Sequence, residues 1–475
     1  MQFQDLSKPS SNIIEQTQFF FYSLFYRRSR WLFVLFIVGV YLAAFLFGVL
    51  SSKFNPKYVV VLSVAPLLFL GGLLLLKRLD YGPLVILLSA LFVPFDLPTG
   101  TGSRLVISLL VSVVILVLWF LNAMTVEKRF VLQKAPVNFP IIGFTLVTLI
   151  SIIWSNIFRD PFVAVWSTFL IVQIASGVVM VMLPITYLLV GNLVKDLRHL
   201  KWLIIIMLAA GFLGLVKFFT RVNLPVDTRG MFALWIFSLA YGLLLFKKDL
   251  HWFWRVALVI LIAGWIYWNF IVGISWIAGW FPGFIAMGIL TLLRSRKLAF
   301  LALLVAALVF ALNSDYYLGE VLKTEDEQSG RTRLAAWQTN WSITKDHLLL
   351  GTGPAGYAAY YMSYFPTNAM ATHSNYIDLV SQVGVVGFLL AVSFFIIQAK
   401  ESYKLCRRFK GRGDFVEALT NSVFAGTIAC IVIMAFGDWL FPFAYTQTIA
   451  GFNYAVYNWI FMGTVLVLDR YTANS

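Results

Sequence analysis

Few side chains in this sequence are suited to chemistry, and the clearest candidate is a histidine. His373 stands directly before an apolar run in which Ser374, Asp378 and Gln382 recur every four residues. On a helix this spacing forms one polar stripe, which must face a cavity or the protein interior rather than lipid. Because histidine titrates near neutral pH, His373 at the mouth of that cavity is suited to act as a general base. A headgroup-facing or helix-capping histidine is the open alternative.

An arginine begins a second candidate site. Arg331 opens a segment in which Leu334, Trp337 and Trp341 recur at helical spacing, and this pattern predicts an amphipathic helix over residues 331–345. The amino terminus of a helix and a forked guanidinium are both suited to phosphate oxygens, so the segment is a candidate pyrophosphate site. The alternative is a helix that lies on the membrane, with its tryptophans in the interfacial belt. The spacing alone favours this alternative.

The remaining polar and aromatic motifs are less specific. Tyr357 begins a tyrosine-rich stretch whose rings could stack on sugars, although such residues are also expected at any membrane interface. The glycine-rich segment 351–356 lacks the Gly-Lys-Ser/Thr ending of a phosphate-binding loop and is better interpreted as a tight turn. The acidic cluster 325–327 lacks supporting histidines or spaced carboxylates. We therefore predict no metal site and no cofactor.

The composition indicates that the helices carrying these residues lie in a membrane. Hydrophobic residues make up 60% of the 475-residue chain and charged residues 12%, far from the balance of a soluble domain. The formal charge of +15 could suggest a nucleic-acid partner. Most of the basic residues, however, fall in loops that are predicted to face the cytoplasm, as the positive-inside rule requires. The charge is therefore a topology signal, and no nucleic-acid partner is predicted.

Hydropathy predicts an all-α fold, a polytopic bundle of about 14 transmembrane helices with both termini cytoplasmic. The chain is predicted to comprise a bundle of about 11 helices over residues 1–312, a long outer loop with the amphipathic helix over 313–373, and a bundle of about 3 helices over 374–475. Two cysteines are too few for a disulfide framework. The predicted spans are 31–51, 58–76, 82–96, 105–123, 140–158, 169–194, 201–220, 230–246, 255–273, 276–293, 298–313, 376–398, 420–437 and 446–467.

Three motifs, in order along the chain and on the same predicted side of the membrane, resemble the O-antigen ligase and O-antigen polymerase superfamily. The segment from His373 to Gly387 is similar to the family signature of His, then Asn/Ser/Gln, nine residues and Gly-x-x-Gly. The upstream sequences SGRTRLAAW and LLLGTGPAGY resemble its Ser-Gly-Arg…Trp and Gly-x-Gly elements, and Arg229-Gly230 resembles its other functional arginine. Phe388 departs from the family, which often has Thr after the last glycine.

The resemblance implies a metal-independent glycosyltransferase of the cytoplasmic (inner) membrane whose active site faces the periplasm or the outside. It implies a glycan on undecaprenyl pyrophosphate as donor and a glycan or lipid-glycan as acceptor. Arg229 and Arg331 would hold the pyrophosphate, His373 would deprotonate the acceptor hydroxyl, and Arg333 would support them. Ser374, Asp378, Trp337 and Tyr357 are the further candidates for substrate binding, and membrane lipids and a chain-length regulator are candidate partners.

Three functions fit these observations. A polymerase of lipid-linked repeat units is slightly preferred, because about 14 spans exceed the roughly 12 that are usual for ligases of this family. A ligase would instead transfer the finished glycan to lipid A-core or to another acceptor. A transporter of lipid-linked sugar or a small anion is the third alternative. The charge-poor spans and the lack of a readable internal repeat disfavour it.

Overall fold

The computed structural model describes residues 78–93, 96–98, 104–273, 277–316, 331–365, 371–443, 447 and 449–473, all within one compact unit, Leu75–Ser475. The predicted spans 31–51 and 58–76 lie outside the described residues. Each later predicted span coincides with a helix. The principal elements in order are α1 Gly82–Phe92, β1 Asp96–Pro98, β2 Arg104–Val106, α2 Ile107–Thr125, α3 Asn138–Ile157, α4 Phe169–Leu193, α5 Leu197–Thr220, α6 Phe232–Phe246, α7 Trp252–Ile266, α8 Ile277–Arg294, α9 Arg296–Leu312, α10 Arg331–Thr344, α11 Gly356–Tyr364, α12 Asn375–Arg408, α13 Phe415–Ile433 and α14 Gly451–Ala473.

The fold is a polytopic membrane helix bundle, as predicted. Within the described part of the chain, nine helices are long and apolar enough to cross a membrane. One of these nine combines α7 with the π-helical segment Tyr267–Val272 that continues it. Shorter apolar helices, Leu79–Phe92 and Phe232–Phe246, lie among them.

The last helix forms the centre of the bundle. Residues 451–468 of α14 are all buried, whereas α9 has no buried residue. The polar side chains of α14 are paired, as an interior position requires. Trp235 Nε1 donates to Asn458 Oδ1 at 2.7 Å, and Ser108 Oγ donates to Asn453 Oδ1. These bonds fix α14 against α6 and α2.

The fold is helical throughout, as predicted, except for a short strand pair after α1. The span predicted to reach residue 96 ends at Phe92, and β1 and β2 then form a short antiparallel pair. Pro94 explains the early end, because proline disfavours helical geometry in the residue before it. The C-cap Val93 is accordingly non-helical, with φ −110° and ψ 87°.

The predicted helix over 331–345 is present as α10, and two of the three residues of its hydrophobic repeat are exposed. Leu334 and Trp341 are exposed, whereas Ala336, Asn340 and Ile343 are buried. The helix packs against α11 and α12. The buried face thus combines a small, a polar and an apolar residue, a pattern that hydrophobic spacing alone does not detect.

Candidate active site

His373 lies in a strained turn directly before α12. Its backbone adopts the left-handed conformation with φ +50°, which is uncommon for a residue other than glycine. Its neighbours Thr372 and Ser374 are buried, while 48% of the His373 side chain is exposed. The imidazole is therefore accessible, although the residues on both sides of it are buried.

A buried carboxylate stands beside this imidazole. Asp438 Oδ1 lies 3.9 Å from His373 Nδ1, and its side chain is only 2% exposed. Such a carboxylate can orient an imidazole and stabilise its protonated form. The sequence analysis did not assign Asp438 to the site, because no local pattern connects residues so distant along the chain.

Asn375 fixes the segment that contains Asp438. Its Nδ2 donates to the Phe441 carbonyl at 2.7 Å, and its Oδ1 accepts from the backbone N–H groups of Leu440 and Phe441. Its own N–H donates to the Gly437 carbonyl at 3.2 Å. One residue of α12, two positions after His373, thus binds the backbone on both sides of Asp438.

Three predicted substrate-binding residues lie beneath the His373 turn. Asp378 is 2% exposed, and its Oδ1 accepts from the Thr372 hydroxyl at 2.5 Å. Trp337 Nε1 donates to the Thr372 carbonyl at 2.7 Å. Ser374 is buried, and its hydroxyl donates to the Met434 carbonyl at 3.4 Å. The polar stripe thus faces the protein interior, which is one of the two environments expected for it.

Arg229 is the candidate anion-binding residue whose side chain the structure describes. It is exposed, and its guanidinium donates twice to Asp227, from Nε at 2.9 Å and from a terminal nitrogen at 2.6 Å. The Asp227 carboxylate raises the pKa of Arg229, because the hydrogen bond stabilises the charged guanidinium. The Arg229 carbonyl accepts from the Tyr457 hydroxyl at 2.5 Å. The arginine is therefore held in place while its charge remains accessible.

Contacts through two aromatic rings connect Arg229 with His373. The Arg229 guanidinium lies 4.9 Å from the centre of the Tyr454 ring, and Tyr454 packs against Trp439 with ring centres 5.8 Å apart. Trp439 follows Asp438, the neighbour of His373. Residues predicted from separate motifs thus lie in one contact network.

Helix α10 begins at Arg331, whose side chain lies outside the described residues. Arg333 is partly buried. Trp337 on the same helix contacts the backbone next to His373. The helix that was predicted to hold pyrophosphate therefore packs against the His373 turn.

This geometry combines an exposed imidazole, a buried carboxylate and a positioned arginine. The O-antigen ligase family model matches residues 226–392. The predicted resemblance is confirmed over this segment, which includes Arg229, Arg331 and His373, and the match supports a membrane enzyme of glycan transfer. No curated protein matches the chain.

Two glycine motifs within the matched segment form one backbone junction. The loop before α11 lies against α12 where Gly384 interrupts its helical geometry with φ +70° and ψ −177°. Thr352 N donates to the Ser381 carbonyl at 2.8 Å, and Val385 N donates to the Leu348 carbonyl at 2.7 Å. Ser151 Oγ contacts the carbonyls of Leu350 and Gln382 at 2.6 and 2.8 Å. The Gly-x-Gly and Gly-x-x-Gly elements therefore provide architecture that supports the site.

Tyr357, the last predicted substrate-binding residue of this segment, is fully buried. Its ring packs against Tyr361 and Phe443, with ring centres 5.9 and 6.0 Å apart. Burial raises the pKa of its hydroxyl. In this conformation the Tyr357 ring is packed against protein and is not open for a sugar to stack on it.

A polar cluster fastens α11 to the loop after α3. The Tyr364 hydroxyl donates to Asp160, which lowers the pKa of Asp160 and raises that of Tyr364 to about 12. His347 packs edge-on against Tyr360 with ring centres 4.8 Å apart, and burial lowers its pKa. His347 is thus part of the contacts that hold α11 in place.

Among the described residues, no group of three or more His, Cys, Asp or Glu side chains is arranged to hold a metal ion. The absence of a metal site at Glu325–Glu327 stays a prediction, because that cluster lies outside the described residues.

Proposed function

We propose that this protein is a glycosyltransferase that uses a glycan linked to undecaprenyl pyrophosphate as its donor and acts at the outer face of the cytoplasmic membrane. The observation that supports this proposal most is the exposed His373 imidazole, 3.9 Å from the buried Asp438 carboxylate and within the same contact network as Arg229. This combination provides a base for an acceptor hydroxyl and a cation for a phosphate leaving group.

The proposed reaction is a single displacement. An acceptor hydroxyl attacks the anomeric carbon of the donor glycan, and His373 takes the hydroxyl proton as the new carbon–oxygen bond forms. The bond between the anomeric carbon and the phosphate oxygen breaks, and its electron pair leaves with undecaprenyl pyrophosphate. Arg229 and Arg331 stabilise the charge that develops on that oxygen. Asp438 stabilises the imidazolium until the proton passes to water.

Within this class, polymerisation of lipid-linked repeat units is the preferred reaction, because the predicted count of about 14 spans exceeds the roughly 12 that are usual for ligases of this family. Purified protein would be incubated with lipid-linked repeat units, and the products separated by length. A ladder of longer lipid-linked products supports polymerase activity. A product that appears only when lipid A-core or another acceptor is added supports the ligase alternative.

The transporter alternative predicts a different result. In proteoliposomes, a transporter would move labelled lipid-linked sugar or a small anion across the bilayer and leave it chemically unchanged. Translocation without any new glycosidic bond would contradict the proposed enzyme activity.

Substitution of Arg229 by lysine is expected to lower kcat about 100-fold, a loss typical of removing a preorganised charge-stabilising group. Lysine keeps the charge, but its single ammonium group cannot donate to both Asp227 oxygens in the way the guanidinium does. It also lacks the further N–H groups with which a guanidinium can bind phosphate. The control is Arg221→Lys, because Arg221 is exposed at the end of α5 and has no proposed role. Initial rates at saturating donor would be compared. Equal kcat values for both variants would contradict the role of Arg229.

Removal of divalent cations is expected to leave the rate of transfer unchanged, because the arginines supply the positive charge that a metal ion would otherwise provide. The measurement is transfer by purified protein before and after treatment with excess chelator. A loss of activity that Mg²⁺ or Mn²⁺ restores would contradict the metal-independent mechanism.

A further inference from the structure

The backbone of His373 needs support from its surroundings. A non-glycine residue held in the left-handed region is strained and persists only where neighbouring contacts determine it. His373 has φ +50°, and its exposed imidazole adds little packing of its own. The restraint must therefore act on the peptide groups that flank it.

Hydrogen bonds restrain both of these peptide groups. On the amino side, the Thr372 carbonyl accepts from Trp337 Nε1 at 2.7 Å. On the carboxyl side, Ser374 N donates to the Thr372 hydroxyl oxygen at 3.3 Å. The Thr372 hydroxyl in turn donates to Asp378 Oδ1 at 2.5 Å. The path of the chain through His373 is thus specified by one indole N–H, one hydroxyl and one carboxylate.

Asp378 is itself held by the first turn of α12. Its N–H donates to the Ser374 carbonyl at 2.9 Å, so the carboxylate that accepts from Thr372 stands on the helix that begins directly after the turn. Because Asp378 is buried, its contact with Thr372 is shielded from water and from salt. Trp337 lies on α10, the helix that begins at Arg331. The same contacts therefore connect α12, the His373 turn and α10.

We propose that Trp337, Thr372 and Asp378 are positioning residues that hold His373 in its left-handed turn and align its imidazole with the acceptor hydroxyl. This inference rests on the proposed function, since it assigns a supporting role to the same site. It replaces the direct substrate contact that the sequence predicts for Trp337 and Asp378 with action through the backbone of His373. A displacement of about 1 Å in a reacting group can lower a rate about 100-fold, so loss of one restraint has a measurable effect.

The first test uses Thr372. Thr372→Val preserves the shape of the side chain but removes the hydroxyl, whereas Thr372→Ser retains it. We expect Thr372→Val to lower kcat at least about tenfold with the KM for the lipid-linked donor unchanged, and Thr372→Ser to restore most of the rate. A role limited to packing would give the opposite order, because valine fills the space better than serine. Full kcat in Thr372→Val, or equal losses in both variants, would overturn the proposal.

The second test uses two tryptophans on the same helix. Trp337→Phe removes the indole donor, and its matched control is Trp341→Phe, since Trp341 is one turn further along α10 with 58% of its surface exposed. We expect Trp337→Phe to lower kcat about tenfold and Trp341→Phe to change it less than about twofold. The double variant Trp337→Phe/Thr372→Val should lose less than the product of the two single losses, because both act on one turn. Independent, multiplicative losses would overturn the shared role.

His373→Ala distinguishes the failure of this inference from the failure of the proposed function. If His373→Ala abolishes transfer while Thr372→Val retains full kcat, the positioning role is wrong and the general base stands. If His373→Ala itself retains full transfer, the proposed mechanism fails, whatever the positioning variants do.

Discussion

Replacement of His373 by alanine is expected to abolish glycan transfer while the protein remains folded and still binds the lipid-linked donor. A positioned general base contributes typically about 10²- to 10⁴-fold to a rate, so transfer should fall by at least about 100-fold. The side chain is half exposed, and its removal leaves no buried cavity. The loss should therefore appear in kcat, measured with purified protein at saturating donor, and not in the thermal unfolding midpoint.

His251→Asn is the matched control for this experiment. His251 is also exposed, but it caps α7, where its Nδ1 accepts from Phe253 N at 3.3 Å. Asparagine retains a capping acceptor, so this variant should transfer glycan at the wild-type rate. Full activity in His373→Ala would contradict the general-base assignment. Loss of donor binding in the same variant would instead assign His373 to ground-state recognition.

The helices could be predicted from the sequence because each span must satisfy its backbone hydrogen bonds internally and bury about 20 apolar residues in lipid. Every described predicted span accordingly coincides with a helix. The motifs also singled out His373 and Arg229 as candidates, since these residues stand at the ends of such spans. In both cases the prediction depends on the spacing of residues that are close together in the sequence.

The connections between these residues could not be predicted, because they join side chains far apart along the chain. Asn375 binds the backbone around Asp438, and Trp337 binds the carbonyl of Thr372. Neither contact produces a periodic pattern. For the same reason, a hydropathy pattern does not predict which face of α10 packs against α11 and α12. The candidate site residues were predicted from residue types and motifs, whereas their contacts are seen only in the fold.

Replacement of Gly384 by alanine is expected to cause the largest loss of stability among single glycine substitutions in the signature. Its backbone, at φ +70° and ψ −177°, occupies a region that is essentially restricted to glycine. A Cβ there would overlap the Leu349 carbonyl and lie 2.5 Å from the backbone nitrogen of Leu350. Because both contacts are with backbone, no side chain can move aside. Strain and overlap together should cost more than about 3 kcal/mol.

Two other glycines separate the causes of this loss. Gly411→Ala imposes a similar strain, at φ +90°, but its Cβ meets nothing within 4 Å, and Gly288→Ala imposes neither strain nor overlap. Unfolding midpoints in detergent should therefore fall in the order Gly288→Ala least, Gly411→Ala next and Gly384→Ala most. Transfer should be lost only in Gly384→Ala. The loop before α11, which packs against Gly384, is hydrogen-bonded to Ser381 and Gln382 in the first turns of α12 after His373. Equal midpoints for Gly384→Ala and Gly411→Ala would show that the close backbone approach contributes nothing beyond strain, and would contradict the structural role assigned to the Gly-x-x-Gly element.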